Sequence, residues 1–345
     1  MKIKKERRTY MTTEAKIQIS SSELGTLWMG YISLSARIMF YNIFKNKTID
    51  KEARNIITDV MNEAQNVKKE FENIFNNEKV VIPLGFNEND IIIDAPPLFD
   101  DILNIMYVRQ LMKFNLGHNA VSSTISYMES VTDVFKLDYN ISIKYYKITT
   151  KYLLKKGVLA RPPYVTMPKQ VEFINDKSYM SGINFFTDKR SLNTTEVGYI
   201  YEAVEDNIFA NQMLTGFAQV AKESEIKKYF LEGKELTRKI IDNLSSVLSK
   251  SDIHPPSTWA GKATDSKISP FSDKMMMYKT NLMSSTSLGF TALGAAYSMR
   301  NDLPIKLGLI SKDVFDYARK GSKIMIKYNW LEQPPQMEDR NSLTK

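Results

Sequence analysis

The feature that most constrains this chain is an internal repeat. Set against itself at an offset of 173 residues, it pairs Glu23 with Glu196, Leu24 with Val197, Leu27 with Ile200, Trp28 with Tyr201 and Tyr31 with Val204. The same offset brings Ala53, Ile57, Val60, Ala64, Val67 and Phe71 onto Ile226, Phe230, Gly233, Thr237, Ile240 and Leu244. It also carries Pro83 onto Pro256, Pro97 onto Pro270, Asp100 onto Asp273 and Tyr127 onto Arg300. One residue is then lost, and at an offset of 172 Tyr145 meets Tyr317 while Arg161-Pro162-Pro163 meets Gln333-Pro334-Pro335. Two such units fill the 345 residues, so each unit is read as one structural element of a duplicated chain.

Apolar period and punctuation give four helices in each unit. The first runs from Ser22, as N-cap, to about Phe44, and its partner from Thr195 to about Val220. The second helices cover about Asp50 to Asn76 and Ser224 to Ser249. The third begin at Pro97 and Pro270, with Ser269 as a cap, because proline suits a first helical position where an N–H would have no partner. The fourth span about Ser130 to Lys156 and Asp302 to Asn329, each stopped by a Pro-Pro pair. At about 1.5 Å per residue such helices are roughly 35–40 Å long, which is bundle geometry. The long connections Glu78 to Pro96 and Lys250 to Ser269 suit the crossover of a ferritin-like fold. The expected architecture is therefore all-α, two tandem ferritin-like four-helix bundles related by a repeat of about 173 residues. The expected divisions are a basic tip without fixed structure (1–12), a first bundle (13–161), an irregular linker (162–191), a second bundle (192–337) and a tail (338–345). The aromatics of the linker are expected to pack it onto the bundles.

Composition removes several function classes. No cysteine is present, which excludes disulfides, thiolate metal sites and cysteine nucleophiles and fits a reducing cytoplasm. No apolar run has the length of a membrane span. The net charge of +8 suggests a nucleic-acid footprint, but half of it lies in the first eight residues, where Lys2, Lys4, Lys5, Arg7 and Arg8 face only Glu6. A basic tip of this kind is a solvated tail, so nucleic acid and membrane are not expected partners, whereas a protein partner or self-association is.

Fixing the apolar stripe of each helix shows which polar residues point inward. Arg109 falls within the stripe of the third helix and Glu63 at the edge of that of the second, at similar depth. Their 173-offset equivalents are Leu236 and Leu282, a joint replacement, so Glu63 and Arg109 are expected to form a buried ion pair. In the second unit Asn207, Asn211, Thr215, Tyr278, Ser285, Thr286, Asp313 and Tyr317 point inward. These form either a satisfied hydrogen-bond network or a small polar pocket lined by Asn207, Asn211, Tyr278, Ser285, Asp313 and Tyr317. Asp273 and Asp313 are the weak candidates for a metal. A di-iron site wants Glu-x-x-His on two helices, but Asn115 precedes His118 and Ser251 precedes His254 at that spacing, so neither a metal nor another cofactor is expected. Met275-Met276-Met277 reads as packing, Trp259 as a bundle cap and Trp330 as the anchor of the last helix. There is no glycine-rich phosphate loop, Gly-x-Ser-x-Gly elbow or zinc helix motif.

The segments Gly216-Phe217-Ala218-Gln219-Val220-Ala221, Pro270-Phe271-Ser272-Asp273-Lys274, Trp330-Leu331-Glu332-Gln333-Pro334-Pro335-Gln336 and Arg161-Pro162-Pro163-Tyr164 resemble an uncharacterised family of Bacillus-type bacteria, the domain of unknown function numbered 3231. The resemblance covers about Thr13 to Arg340. It implies paired ferritin-like domains, a distant likeness to a spore coat family and no established activity. Some relatives carry histidine where this chain has Tyr278, which weakens any metal site the family holds there. The function expected is a helical scaffold or interaction protein without a catalytic site, spore- or stress-related. The alternatives are a ferritin-like protein holding a small ligand or metal inside the second bundle, and a weak nucleic-acid binder acting through the tip.

Overall fold

The computed structural model describes residues 17–182, 189–257 and 261–344. Among these the chain is all-helical, with eight α-helices and no strand. The first repeat contributes α1 (Ser21–Lys47), α2 (Lys51–Asn77), α3 (Asp101–Thr124) and α4 (Glu129–Lys155). The second contributes α5 (Thr194–Val220), α6 (Ser224–Ser249), α7 (Asp273–Tyr297) and α8 (Asp302–Lys327). Antiparallel hairpins α1–α2, α3–α4, α5–α6 and α7–α8 are the principal packing units. The basic tip, the linker aromatics Phe185 and Phe186, and Trp259 lie outside the described residues.

Local chemistry sets the helix ends, and the two repeats use the same devices. Helices α2 and α6 close on left-handed residues Lys79 and Asp252, and α4 and α8 on Gly157 and Asn329. In each case the next N–H reaches back five residues, as in Val80 to Phe75 and Trp330 to Met325, both at 2.9 Å, which satisfies a carbonyl the helix would otherwise orphan. The ring of Trp330 stacks on Tyr328, as expected of an anchor. Ser20, not Ser22, caps α1 in a capping box with Glu23, and Asn193 with Glu196 does the same for α5. The third helices start later than proline suggests: Asp100 and Ser272 are the caps of α3 and α7. Pro97 and Pro270 instead lie in the extended segments just before them, where a main-chain bond to the other repeat displaces the helix start.

Those segments join the repeats. Ile91 bridges Phe271, and Phe99 bridges Ala263, both antiparallel. Ile92 N–H donates to Pro270 O and Thr264 N–H to Leu98 O, each at 2.9 Å; Ser272 N–H donates to Asp90 O at 2.7 Å and Asp100 N–H to Lys262 O at 3.1 Å. Every bond in this set has a partner obtained by exchanging the repeats at an offset of 172. That reciprocity is the signature of a two-fold axis, here within one chain. The lost residue thus falls between the Lys79 and Asp90 positions, earlier than sequence comparison puts it, and the true equivalents of Asp273 and Met299 are Asp101 and Tyr127.

Side chains follow the same symmetry. Phe99 packs on Phe217 with ring centroids 6.0 Å apart, and its equivalent Phe271 packs on Phe44 at 6.2 Å and on Phe40 at 4.5 Å. Gly216 leaves the space that the Phe99 ring occupies. At roughly 1.5–3 kcal/mol for each buried aromatic, this junction is a core and not a hinge. Buried apolar residues of the first repeat accordingly share one continuous cluster with part of the second, including the C-terminal half of α5, the start of α6 and Met275–Met277. A second, smaller cluster from Ile200 to Val314 fills the far end of the second repeat.

The linker departs from expectation. Tyr164, Val171 and Phe173 are more than four-fifths exposed, so residues 162–175 stand off the helices. The chain returns only at Tyr179, whose ring lies 4.0 Å from the Arg190 guanidinium.

Candidate functional site

The richest polar chemistry lies where α3 of the first repeat faces α5 of the second. Arg109 is buried on the stripe of α3, but it does not meet Glu63. Its Nη1 donates to Glu205 Oε1 at 2.8 Å, with both side chains 7% exposed. Its Nε and Nη2 reach Thr150 and the Tyr146 hydroxyl. Glu63 accepts from Lys144 at 3.0 Å on the surface. The expected pair is therefore corrected: the face of α3 that carries Arg109 is turned to the other repeat, not to α2. The equivalents of the real pair are Asn281 and Ile32, so joint replacement does mark a buried pair, across the junction. One turn further on, Lys113 donates to both Glu202 and Asp206. Burial comes first in raising the Glu205 carboxyl, to about 7; Arg109 opposes it and the negative charge of Glu202 adds to it.

Beside this layer lies a cavity of about 50 Å³ among α3, α5 and α7, lined by Gln110, Phe114, Asp206, Phe209, Lys279 and Met283 among others. Lys279 is 4% exposed. Among the described residues its ammonium has no hydrogen-bond or ion-pair partner; it sits 4.3 Å from the centroid of the Tyr107 ring. Tyr107 is the equivalent of Lys279 at offset 172, and two equivalent residues can touch only at the axis between repeats. Burial pushes the Lys279 ammonium down to about 7. Gln110 Nε2 on the same cavity is likewise buried without a partner. The cavity exists because Ala210 stands where the first repeat has Arg37, whose guanidinium is buried and held by Asp138 at 2.9 Å. Asp138 in turn is replaced by Ile310.

The polar set expected inside the second repeat is dispersed. Asn211 donates to Lys234 O and Thr237 Oγ1, both at 2.9 Å. Asn207 and Thr215 bond one turn back along α5. Tyr317 and Tyr229 stack 4.3 Å apart, and each hydroxyl donates to the other's carbonyl. Tyr278 packs on Phe86 of the first repeat, because α7 turns that face to the junction. Ser285 and Asp313 are exposed and line no common pocket with Asn211. Asn207 and Tyr317 do share a cavity of about 40 Å³ with Thr237, Thr280 and Ser284, in the gap between the two apolar clusters. Thr286 bonds to Leu282 O. Asp273, a weak metal candidate, accepts from Lys222 N and Glu223 N at 3.1–3.2 Å and so holds the α5–α6 turn. Among the described residues no three His, Cys, Asp or Glu side chains gather around a metal-sized site. His254 is exposed in its loop.

These junction contacts involve three of the four segments that carry family likeness. The family model for the "Protein of unknown function (DUF3231)" matches twice, over residues 9–171 and 180–343. The chain belongs to the DUF3231 family. In DUF3231 terms three of the four resembling segments are junction parts, the exposed Arg161–Tyr164 segment being the exception: Gly216 admits Phe99, Phe271 bridges to Ile91, and Ser272 bonds Asp90. Glu332 accepts from Leu84 N at 2.8 Å and Gly85 N at 2.6 Å, again across the repeats. No curated protein matches the sequence. Among solved structures, one described as a "putative spore coat protein" from Bacillus halodurans is similar at 19% identity. It covers 44% of this chain and 98% of its own, with a TM-score of 0.39. No described helix is long and apolar enough to cross a membrane.

Periodicity within a repeat does not single out Lys113, Glu202, Glu205, Asp206 or Lys279, whose partners lie across the junction; the usable signal was basic charge on α3 and acidic charge on α5 at once.

Proposed function

We propose that this DUF3231 chain is a non-catalytic helical interaction protein that self-associates through the segment between its repeats. The observation that carries this reading is the exposure of that segment: Tyr164 is 88%, Val171 85% and Phe173 83% exposed. A single segment that holds several large apolar side chains in water is a candidate binding surface. The same molecule supplies a surface to receive them, since Ile305 and Leu309, one turn apart on α8, are 52% and 63% exposed. A second copy therefore offers both halves of an interface. The cytoplasmic, spore- or stress-related setting implied by the family resemblance belongs to this reading. Sedimentation equilibrium tests it. The expected result is a concentration-dependent mass above the 39.7 kDa of one chain, abolished by the double substitution Val171→Ser and Phe173→Ser. A wild-type chain that stays at 39.7 kDa up to its solubility limit contradicts it.

A second reading, a small ligand held inside the molecule, is favoured by the two cavities that meet at Asn207, Ala210, Met283 and Ser287.

A further inference from the structure

The junction cavity has two donors and a shortage of acceptors. Lys279 and Gln110 both line it and both are buried; Gln110 Nε2 has no hydrogen-bond partner, and among the described residues the Lys279 ammonium has the Tyr107 ring beside it but no hydrogen bond or ion pair. Leaving such groups unsatisfied is costly, most of all for a charge. The acid on the wall does not answer them, because Asp206 is engaged by Lys113. Of the remaining polar groups on the wall, Asn207, Thr286 and Ser287, the first two donate one turn back along their own helices, and most of the wall is apolar, from Leu111, Phe114 and Phe209 to Leu282 and Met283. The cavity's volume of about 50 Å³ matters too. At roughly 10–15 Å³ per water-sized occupant, it has room for about four such positions.

Resting on the small-ligand reading, we propose that this cavity binds a short monocarboxylate of acetate or propionate size. Its two oxygens take the Lys279 ammonium and the Gln110 amide, and its carbon end lies against Phe114, Phe209 and Met283. A carboxylate matches the site in three respects: it presents two acceptors, it brings the counter-charge that the buried ammonium lacks, and its alkyl end suits the wall. The first repeat shows what the site replaces. There Arg37 fills the position of Ala210 and holds Asp138, so the volume that a guanidinium occupies in one repeat stands open in the other.

Isothermal titration of the full chain with sodium acetate and sodium propionate tests the proposal, with propionamide and propylammonium chloride as size-matched controls. The expected result is saturable binding of a carboxylate at one site per chain, with no propionamide binding. Affinity should fall about tenfold or more in Lys279→Met and in Gln110→Leu, the loss of a hydrogen bond to a charged group. If Lys279→Met fails to fold by circular dichroism, Gln110→Leu decides alone. Binding of propionamide or propylammonium in place of the carboxylates overturns the carboxylate assignment while sustaining the ligand reading. No saturable binding of any of the four overturns both, leaving water as the occupant. Undiminished carboxylate affinity in both variants overturns the site.

Discussion

At the scale of single residues, burial decides which charges matter. Arg109 and Glu205 are held together at 2.8 Å with little solvent, whereas Lys144 and Glu63 meet at 3.0 Å with about half and a third of their side chains exposed. A surface pair contributes roughly 0–1 kcal/mol. Removing one partner of a buried pair strands the other charge and costs about 3–5 kcal/mol. Arg109→Met is therefore expected to lower the unfolding free energy by about that amount in urea titration, while Glu63→Gln changes it by no more than about 0.5 kcal/mol. Equal effects of the two substitutions would refute the assignment of the pair. The burial of Arg109 was legible from the apolar stripe it interrupts, and its partner was not. Helical period reports which way a side chain points, but not which of two neighbouring helices stands there. Lys279 was illegible for a related reason: its position is set by a two-fold axis, which no single helix's pattern reveals.

At the scale of helices, the recurring device is a buried glutamate one turn into the first helix of each repeat. Glu23 closes its capping box with Ser20 and also accepts from Tyr127 N and Met128 N at 2.6 and 2.5 Å. Glu196 does the same with Asn193, and accepts from Met299 N and Arg300 N at 3.1 and 3.0 Å. One carboxylate thus ties the start of a repeat's first helix to the turn before its fourth. Arg190 adds a two-bond grip on Glu196 at 2.7 and 2.8 Å. Burial works to raise the Glu196 carboxyl, but the Arg190 and backbone donors outweigh it and hold the group at about 2, against 4.5 for a free glutamate. A carboxyl lowered on folding stabilises the protein above its unfolded value, and the benefit is lost as pH falls from about 4.5 towards 2. The urea midpoint of the wild type should accordingly drop between pH 5 and pH 3 more steeply than that of Glu196→Gln; parallel curves would show that the clamp is not ionised in the fold. The sequence paired Glu23 with Glu196 correctly, because period and offset agree over the first two helices. It misplaced the lost residue, since Pro97 and Pro270 align well at 173 and the bridging segments that enforce 172 are long-range pairings.

At the scale of the whole molecule, two copies of one helical unit behave as a symmetric dimer whose subunits share a chain. Fold class and repeat were legible because helical period is local and is strong over the second and fourth helices of each repeat. The union of the repeats was not, because it rests on Phe99 and Phe271 exchanging places and on main-chain bonds between residues 90–100 and 262–272. A shared core predicts shared unfolding: the apolar cluster that runs from α1 to Met325 leaves the first repeat no core of its own to keep. Hydrogen exchange by mass spectrometry across a urea series, read on peptides from α2 and α6 in the intact chain, measures this directly. A single urea midpoint is expected for both helices, shifted downward together by Phe271→Ala. Two separate midpoints, with one repeat protected after the other has exchanged, would contradict it.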